Sequence, residues 1–330
     1  MKAMVTGGTG FLAGHLIDKL QGAGHAVRTL DLANAPTAEL AKRGVEVKAG
    51  DLRDAEAVAV ACAGMDTVFH VAALAAPFGP RKLFWGINVT GTDNVISGCK
   101  AAGVKRLVHV SSPSAVFDGT DHVNADESLP YPKKFMSHYC ETKAISEQHA
   151  LAANGPDLET VALRPHAIWG PRDKNLWPRI ISRARAGKMV QVGDGLNEIT
   201  GLYVENGADA LILAAKAPAE KAAGKVYFIN DGVPVKLWEF VRRVLSALNI
   251  PGPKRQISYR TAYVMGAIQE FLWSALHLKG EPTITRYTAS ELARHHTYSI
   301  ARARSDLGYN PRIGLEEGLE KTIAWFKTRA

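Results

Sequence analysis

The chain has 330 residues, 46% apolar and 22% charged, the balance of a globular protein large enough for a sizeable core and for two domains. Its formal net charge is +8, but the cations are scattered, with no arginine-aromatic motif or DNA-reading helix, so no nucleic-acid partner is expected. Cys62, Cys99 and Cys140 show no metal or redox spacing, which suits a reduced cytoplasm.

Met1 to Val5 is a mostly apolar run that reads as a buried parallel strand, and no signal peptide is expected. Thr6-Gly7-Gly8-Thr9-Gly10-Phe11-Leu12-Ala13-Gly14 follows at once, and Phe11 to Leu20 shows helical spacing. Strand, glycine turn and helix form the context of a dinucleotide fingerprint, here Gly8, Gly10 and Ala13. Glycine lets backbone N–H groups approach a pyrophosphate at a helix N-terminus. Gly7, Gly10, Phe11 and Leu12 are therefore candidate cofactor contacts.

A second strand, Ala26 to Leu30, ends at Asp31, about 20 residues beyond the turn, where an acid can bind the adenosine ribose hydroxyls. The same carboxylate repels a 2′-phosphate, so NAD is expected rather than NADP. The third strand, Val45 to Ala49, leads to Asp51 and Leu52, candidates for the adenine edge. Val68 to Val71, Leu107 to Val110 and Val161 to Leu163 supply the next three strands. Strands alternating with helices predict a Rossmann α/β fold, a doubly wound parallel sheet covered on both faces.

Ser111-Ser112 closes the fifth strand. Tyr139 and Lys143 are four apart in a helical stretch, Met136 to Ala153, which puts both on one face. A neighbouring ammonium lowers a phenol's pKa. Lys143 is thus expected to tune Tyr139 as a proton acceptor and to bind a ribose, while Ser112 holds a substrate oxygen.

The Pro- and Trp-rich stretch Arg164 to Pro178 breaks the alternation, and helices are then expected near 204–216, 236–248 and 315–328. The expected division is a Rossmann domain of residues 1–172 and 203–229, and a smaller discontinuous mixed substrate domain of residues 173–202 and 230–330. Arg172, Lys174, Arg179, Arg183, Arg185 and Lys188 are a local cationic excess, read as a solvated face or as an attractor for an anion. Residues 257–278 are aromatic and apolar but interrupted by Arg260, Gln269 and Glu270, so they suit a core helix, a lipid-sized pocket wall or a membrane-surface helix rather than a span. No His, Asp or Glu cluster has ligand spacing, no metal is expected, and His295-His296 reads as surface or packing.

These clusters together resemble the extended short-chain dehydrogenase/reductase family, and within it the 3β-hydroxysteroid dehydrogenase branch, from residue 2 to residue 328. The resemblance implies Ser112, Tyr139 and Lys143 as a catalytic triad. It implies a structural or proton-relay role for Asn88 in Asn88-Val89-Thr90-Gly91-Thr92. His70 and Ala72 match a cofactor-lining strand end, and Pro165-His166 a segment whose backbone meets the nicotinamide. Ser111-Ser112-Pro113-Ser114-Ala115-Val116 is one residue longer than many members have before the valine, which keeps Ser114 as an alternative to Ser112. Ala13 stands where a third glycine is frequent.

Longer strings, among them Arg164-Pro165-His166-Ala167-Ile168-Trp169-Gly170-Pro171-Arg172-Asp173 and Tyr203-Val204-Glu205-Asn206, resemble the decarboxylating sterol-4-carboxylate 3-dehydrogenases. Leu151 to Gly195 resembles the 2-alkyl-3-oxoalkanoate reductases nearly as well. Both interconvert a β-hydroxy acid and a β-keto acid on an apolar body. The resemblance implies NAD-dependent oxidation of a sterol or long-chain lipid, first a sterol 4-carboxylate, with a cationic neighbourhood near Arg172 to receive the carboxylate. The 2-alkyl-3-oxoalkanoate reductase, plain 3β-hydroxysteroid dehydrogenase and non-catalytic dinucleotide sensor are the alternatives. A homodimer and a peripheral membrane contact are further expectations.

Overall fold

The computed structural model describes residues 1–329, and its centre is a seven-stranded parallel sheet. The strands are β1 (Lys2–Thr6), β2 (Ala26–Asp31), β3 (Glu46–Ala49), β4 (Thr67–His70), β5 (Arg106–Val110), β6 (Glu159–Pro165) and β7 (Lys225–Ile229). Their spatial order is β7-β6-β5-β4-β1-β2-β3. Every residue of β4 and β5 is buried, as a parallel sheet with helices on both faces demands. The order turns outward from the β1/β4 pair, and a ligand crevice opens at such a switch point beyond the strands' carboxyl ends.

The helices that position the site are α1 (Phe11–Gly22), α2 (Gly91–Ala101), α3 (His138–Ala152), α4 (Val204–Lys216), α5 (Leu237–Ala247), α6 (Tyr259–Ala275), α7 (Arg286–Ala293) and α8 (Leu315–Lys327). On one face, Leu12, Leu16, Ile17 and Leu20 of α1 share a core with Ala208, Leu211 and Ala214 of α4. On the other, helix Ala55–Cys62 and α2 bring Val58, Cys62, Val95 and Cys99 together. The first six strands lie where the apolar runs predict them, and α4, α5 and α8 fall inside the expected helical segments.

Beyond the main sheet the chain makes short strands. His122–Ala125, His296–Tyr298, Glu198–Ile199 and Val235–Lys236 form one four-stranded sheet. His122–Ala125, grouped with the Rossmann domain on sequence, is thus paired with a strand of the C-terminal region. Trp169, Trp177, Tyr203 and Phe240 fill the core beneath α5 and α8. Within α6 only Ala262 and Gly266 are buried. A Cβ on Gly266 would stand 2.6 Å from the carbonyl carbon of Thr285, so glycine lets α6 touch the start of α7. Thr285 caps α7 reciprocally with Thr288, which fixes that helix's direction.

Candidate active site

The crevice begins at the glycine turn. Gly7 has φ +70°, its N–H donates to the Leu30 carbonyl at 2.8 Å, and Gly10 N–H donates to the Gly7 carbonyl at 2.8 Å. A Cβ on Gly7 would sit 2.9 Å from the Ala72 Cβ, so the turn and the end of β4 touch only because residue 7 is glycine. The Thr6 hydroxyl oxygen accepts from the N–H groups of Val71 and Ala72 at 3.0 Å each and lies 3.0 Å from His70 Nδ1. Gly10 caps α1 with no side-chain partner and no acid in the first turn. The helix's first N–H groups therefore remain available to an anion.

Asp31 Oδ2 accepts from the Thr9 N–H (2.9 Å) and hydroxyl (2.7 Å), so the acid at the end of β2 is drawn to the turn. Asp51 is held by Arg53, whose side chain and N–H bond it and keep its carboxyl below the usual range. Leu52 is buried, and its carbonyl accepts from Asn94 at 2.8 Å. Arg172, proposed on sequence as a neighbourhood for a carboxylate, is engaged with the glycine-turn helix. It reaches α1, donating to Asp18 Oδ2 at 2.7 Å and to His15 Nε2 at 3.2 Å. With Arg43 and Lys174 it lines a cleft at the glycine turn. The remainder of the basic excess faces outward, Arg179 toward Glu281 and Arg183 toward the Thr283 carbonyl.

Across the crevice, Tyr139 and Lys143 share the inner face of α3, which Ser137 caps through the Cys140 N–H. Lys143 is 3% exposed and donates to the Val110 carbonyl at 2.6 Å. Burial lowers its pKa to about 8. Tyr139 is pushed up to about 12, first by burial, with the Ser112 hydroxyl pulling the other way and Glu291 adding to the rise. In the free protein the ammonium is engaged by Val110, and desolvation is the largest influence on the phenol. Ser112 and Ser114 are not alternatives in space. Their Oγ atoms are 2.7 Å apart, and both hydroxyls act on the Tyr139 phenol.

Asn88 lies in a π-helical turn, Trp85–Thr90. Its Oδ1 accepts from Leu74 N–H (2.7 Å), and its Nδ2 donates to the Leu74 carbonyl (3.1 Å) and to Thr142 Oγ1 (3.0 Å). It thereby braces the loop after β4 against the helix that carries Lys143. His70 Nε2 lies 3.0 Å from Thr92 Oγ1, and burial lowers the imidazole's pKa to about 3. Pro165 ends β6, and His166 follows with its N–H donated to the Ile229 carbonyl. That N–H is committed to β7, so any backbone contact from this segment uses other atoms.

Two site residues carry no linear signal. Tyr287 and Glu291, four apart on α7, face the Tyr139 centre. The Tyr287 hydroxyl is 3.2 Å from Ser114 Oγ. His166, Glu291 and His296 come together, with one donor atom of each within 4.8 Å of the others. His296 is 1% exposed, so it is a packing residue and not a surface one. The sequence separations of this trio conceal the cluster that the fold assembles.

The match to known proteins runs through these same elements. The model of the 3-beta hydroxysteroid dehydrogenase/isomerase family matches residues 4–259. The chain belongs to that family. A 2-alkyl-3-oxoalkanoate reductase of Stenotrophomonas maltophilia is 46% identical over 98% of this chain and 99% of its own length. A decarboxylating sterol-4-alpha-carboxylate 3-dehydrogenase of Mus musculus is 36% identical over 98% and 91%. Among solved structures, MoeE5 in complex with UDP-glucose and NAD is 26% identical with TM-score 0.74, covering 100% of this chain and 99% of that one. Membership of the 3-beta hydroxysteroid dehydrogenase/isomerase family makes this chain a dehydrogenase acting on hydroxyl groups.

Proposed function

We propose that the chain uses NAD to interconvert a β-hydroxy acid and its β-keto acid on a long apolar body, with a 2-alkyl-3-hydroxy acid as the first substrate class. One observation carries the reading. An open cleft of about 810 Å³ is lined by Ser137, His138 and Glu141, the neighbours of Tyr139 on α3. Phe84, Phe135, Met136 and Phe271 give it apolar walls, while Lys133 and Lys134 supply positive charge. An elongated apolar acid fits such a lining, its chain on the rings and its carboxylate toward a cation. The 46% identity to the 2-alkyl-3-oxoalkanoate reductase favours the flexible acid. The sterol 4-carboxylate is the second reading, supported by the full-length likeness to the mouse dehydrogenase.

The residues present fit NAD. Uncovered N–H groups at the start of α1 and the bare Gly7 would hold the diphosphate, Asp31 the adenosine ribose, and Lys143 the nicotinamide ribose. When bound, the cofactor accepts or returns the hydride. Tyr139 takes the hydroxyl proton in oxidation and returns one in reduction, while Ser112 and Ser114 hold the reacting oxygen. Asn88 positions Lys143 through Thr142. Phe271, of the C-terminal region, joins Phe84, Phe135 and Met136 in lining the substrate cleft, and Tyr287 reaches Ser114.

No described helix is long and apolar enough to cross a membrane. The outer face of α6 nevertheless exposes Ile268 and Phe271, and this reading gives it a peripheral lipid contact.

The deciding experiment incubates the enzyme with NAD or NADP and three substrates: a 2-alkyl-3-hydroxy acid, a 3β-hydroxy-4-carboxy sterol and a plain 3β-hydroxysteroid. NAD-linked turnover of the alkyl acid, at the highest kcat/KM, is expected. Turnover of the sterol acid with CO2 release, and none of the alkyl acid, would move the protein to the second reading. Preference for the plain steroid would overturn the acid class altogether.

A further inference from the structure

Glu291 is a carboxylate that the proton and hydride chemistry leaves unused. It projects from α7 into a ring of imidazoles and phenols, with His122, His166, His296, Tyr287 and Tyr298 around it. Its closest ionic partner is His296, whose Nδ1 stands 3.5 Å from Oε1, beyond good hydrogen-bond length. The Glu291 side chain is 31% exposed, so the carboxylate is only partly desolvated among these rings.

The His166 imidazole is arranged as a lone-pair donor. His166 Nδ1 is 2.7 Å from the Thr200 carbonyl oxygen. A carbonyl only accepts, so Nδ1 carries the hydrogen and Nε2 keeps its lone pair. This is the outer support that metal-binding histidines have, a carbonyl fixing both tautomer and ring. His296 Nε2 is buried and has no hydrogen-bond partner among the described residues. One donor atom from each of His166, Glu291 and His296 lies within 4.8 Å of the others. Around an ion with bonds of about 2.1 Å, tetrahedral donors stand about 3.4 Å apart, so rotamer adjustments of roughly an ångström would close the set.

We propose that His166, Glu291 and His296 form a three-ligand site for a divalent ion of the zinc class. Two imidazoles and one carboxylate are a ligand set that such ions take when a coordination position stays open for water or substrate. The ligands come from the end of β6, from α7 and from strand His296–Tyr298, so the ion would tie the C-terminal region to the main sheet. It would stand one helical turn from Tyr287, whose hydroxyl touches Ser114.

The test uses the full chain stripped with a chelator and titrated with divalent zinc by calorimetry and divalent cobalt by visible absorption. Wild type is expected to bind one ion per chain, with the cobalt bands of a four- or five-coordinate N/O site. Glu291→Gln and His296→Ala should each weaken binding by about 100-fold or more. His295→Ala is the control, because that imidazole turns away and its Nδ1 accepts from the Glu198 N–H at 3.2 Å. It should bind as wild type does. Absence of saturable binding to wild type at millimolar metal would overturn the site, whatever the variants do. Equal binding by folded Glu291→Gln or His296→Ala protein would overturn the ligand assignment.

Discussion

The hydroxyl of Tyr287 lies 3.2 Å from Ser114 Oγ, although 173 residues separate them in sequence. Ser114 in turn lies 2.7 Å from Ser112, so α7 adds a third hydroxyl to the pair beside Tyr139. Tyr287→Phe removes that oxygen and leaves the ring against Phe117. A neutral hydrogen bond is worth about 1 kcal/mol, so kcat/KM should fall roughly fivefold, with NAD affinity unchanged. In the same assay Ser112→Ala and Ser114→Ala should both be impaired, because each hydroxyl orients the other. Full activity in either alanine variant would assign the oxygen-holding role to the other serine alone.

Tyr139→Phe should fold and bind NAD while losing roughly 10²–10⁴-fold in rate, the span of a lost general acid/base. The free phenol's pKa of about 12 also sets a direction for pH. Oxidation needs the deprotonated phenol, so kcat/KM for oxidation should climb through the alkaline range in the free enzyme. A profile flat from pH 7 to 10, with chemistry rate-limiting, would remove Tyr139 from that role.

Lys143 carries a stability cost that the catalytic reading explains. Its folded pKa of about 8 lies below its ordinary 10.5, so the unfolded chain binds the proton more tightly. Stability therefore rises with pH between those values, and the cost is fully present below the lower one, at up to about 3 kcal/mol. Lys143→Met removes that cost and leaves the Val110 carbonyl without its donor, a loss of about 1 kcal/mol. The variant should be inactive yet more stable than wild type at pH 7, and the difference should shrink by pH 10.5. Chemical denaturation at several pH values checks both the sign and the narrowing.

The parts legible in the sequence are those where local pattern and tertiary role coincide. Met1 to Val5 reads as a strand because parallel strands are continuous apolar runs, and Gly7 to Gly10 reads as a turn because only glycine fits there. Tyr139 and Lys143 read as partners because four residues make one helical turn. Tyr287 and Glu291 show the same spacing, but nothing in Arg286–Ala293 tells that its inner face looks at a serine pair just past β5. That information lies in Gly266 touching Thr285, a contact between elements. The position of Arg172 is hidden for a related reason: its partners, Asp18 and His15, are some 150 residues away, on α1. The state of Tyr139 is hidden because burial is its largest influence, and burial is a property of the fold.

Asp31 is the expected determinant of cofactor choice. Its carboxylate holds Thr9, and Arg43, Arg172 and Lys174 line the adjoining cleft. Asp31→Ser removes the repulsion toward a 2′-phosphate and leaves those cations in place. The ratio of kcat/KM for NADP over NAD should increase at least tenfold, which needs only about 1.4 kcal/mol. Part of the change should be a loss with NAD itself, because Thr9 loses its anchor. An unchanged ratio in a folded variant would place cofactor selection elsewhere.

The outer face of α6 gives the last prediction. Val264, Ile268 and Phe271 are 50%, 54% and 70% exposed on that helix, and Leu276, just past its end, is 63% exposed. So much apolar surface on a single helix marks an interaction face rather than scattered exposure. Arg260 and Lys279 flank it, giving the charge that anionic headgroups attract. Phe271 also lines the cleft bordered by His138 and Glu141 of α3, so under the proposed reading a membrane held here would present apolar substrate to that cleft. Co-sedimentation with vesicles should increase with anionic lipid and fall as salt is raised. Burying an aliphatic side chain contributes about 1.5–3 kcal/mol, so Ile268→Ser with Leu276→Ser should weaken binding by at least about tenfold. Neither residue lines the cleft, so turnover of a water-soluble short-chain acid should survive the double substitution. Absence of vesicle binding at low salt would leave α6 as a pocket wall alone.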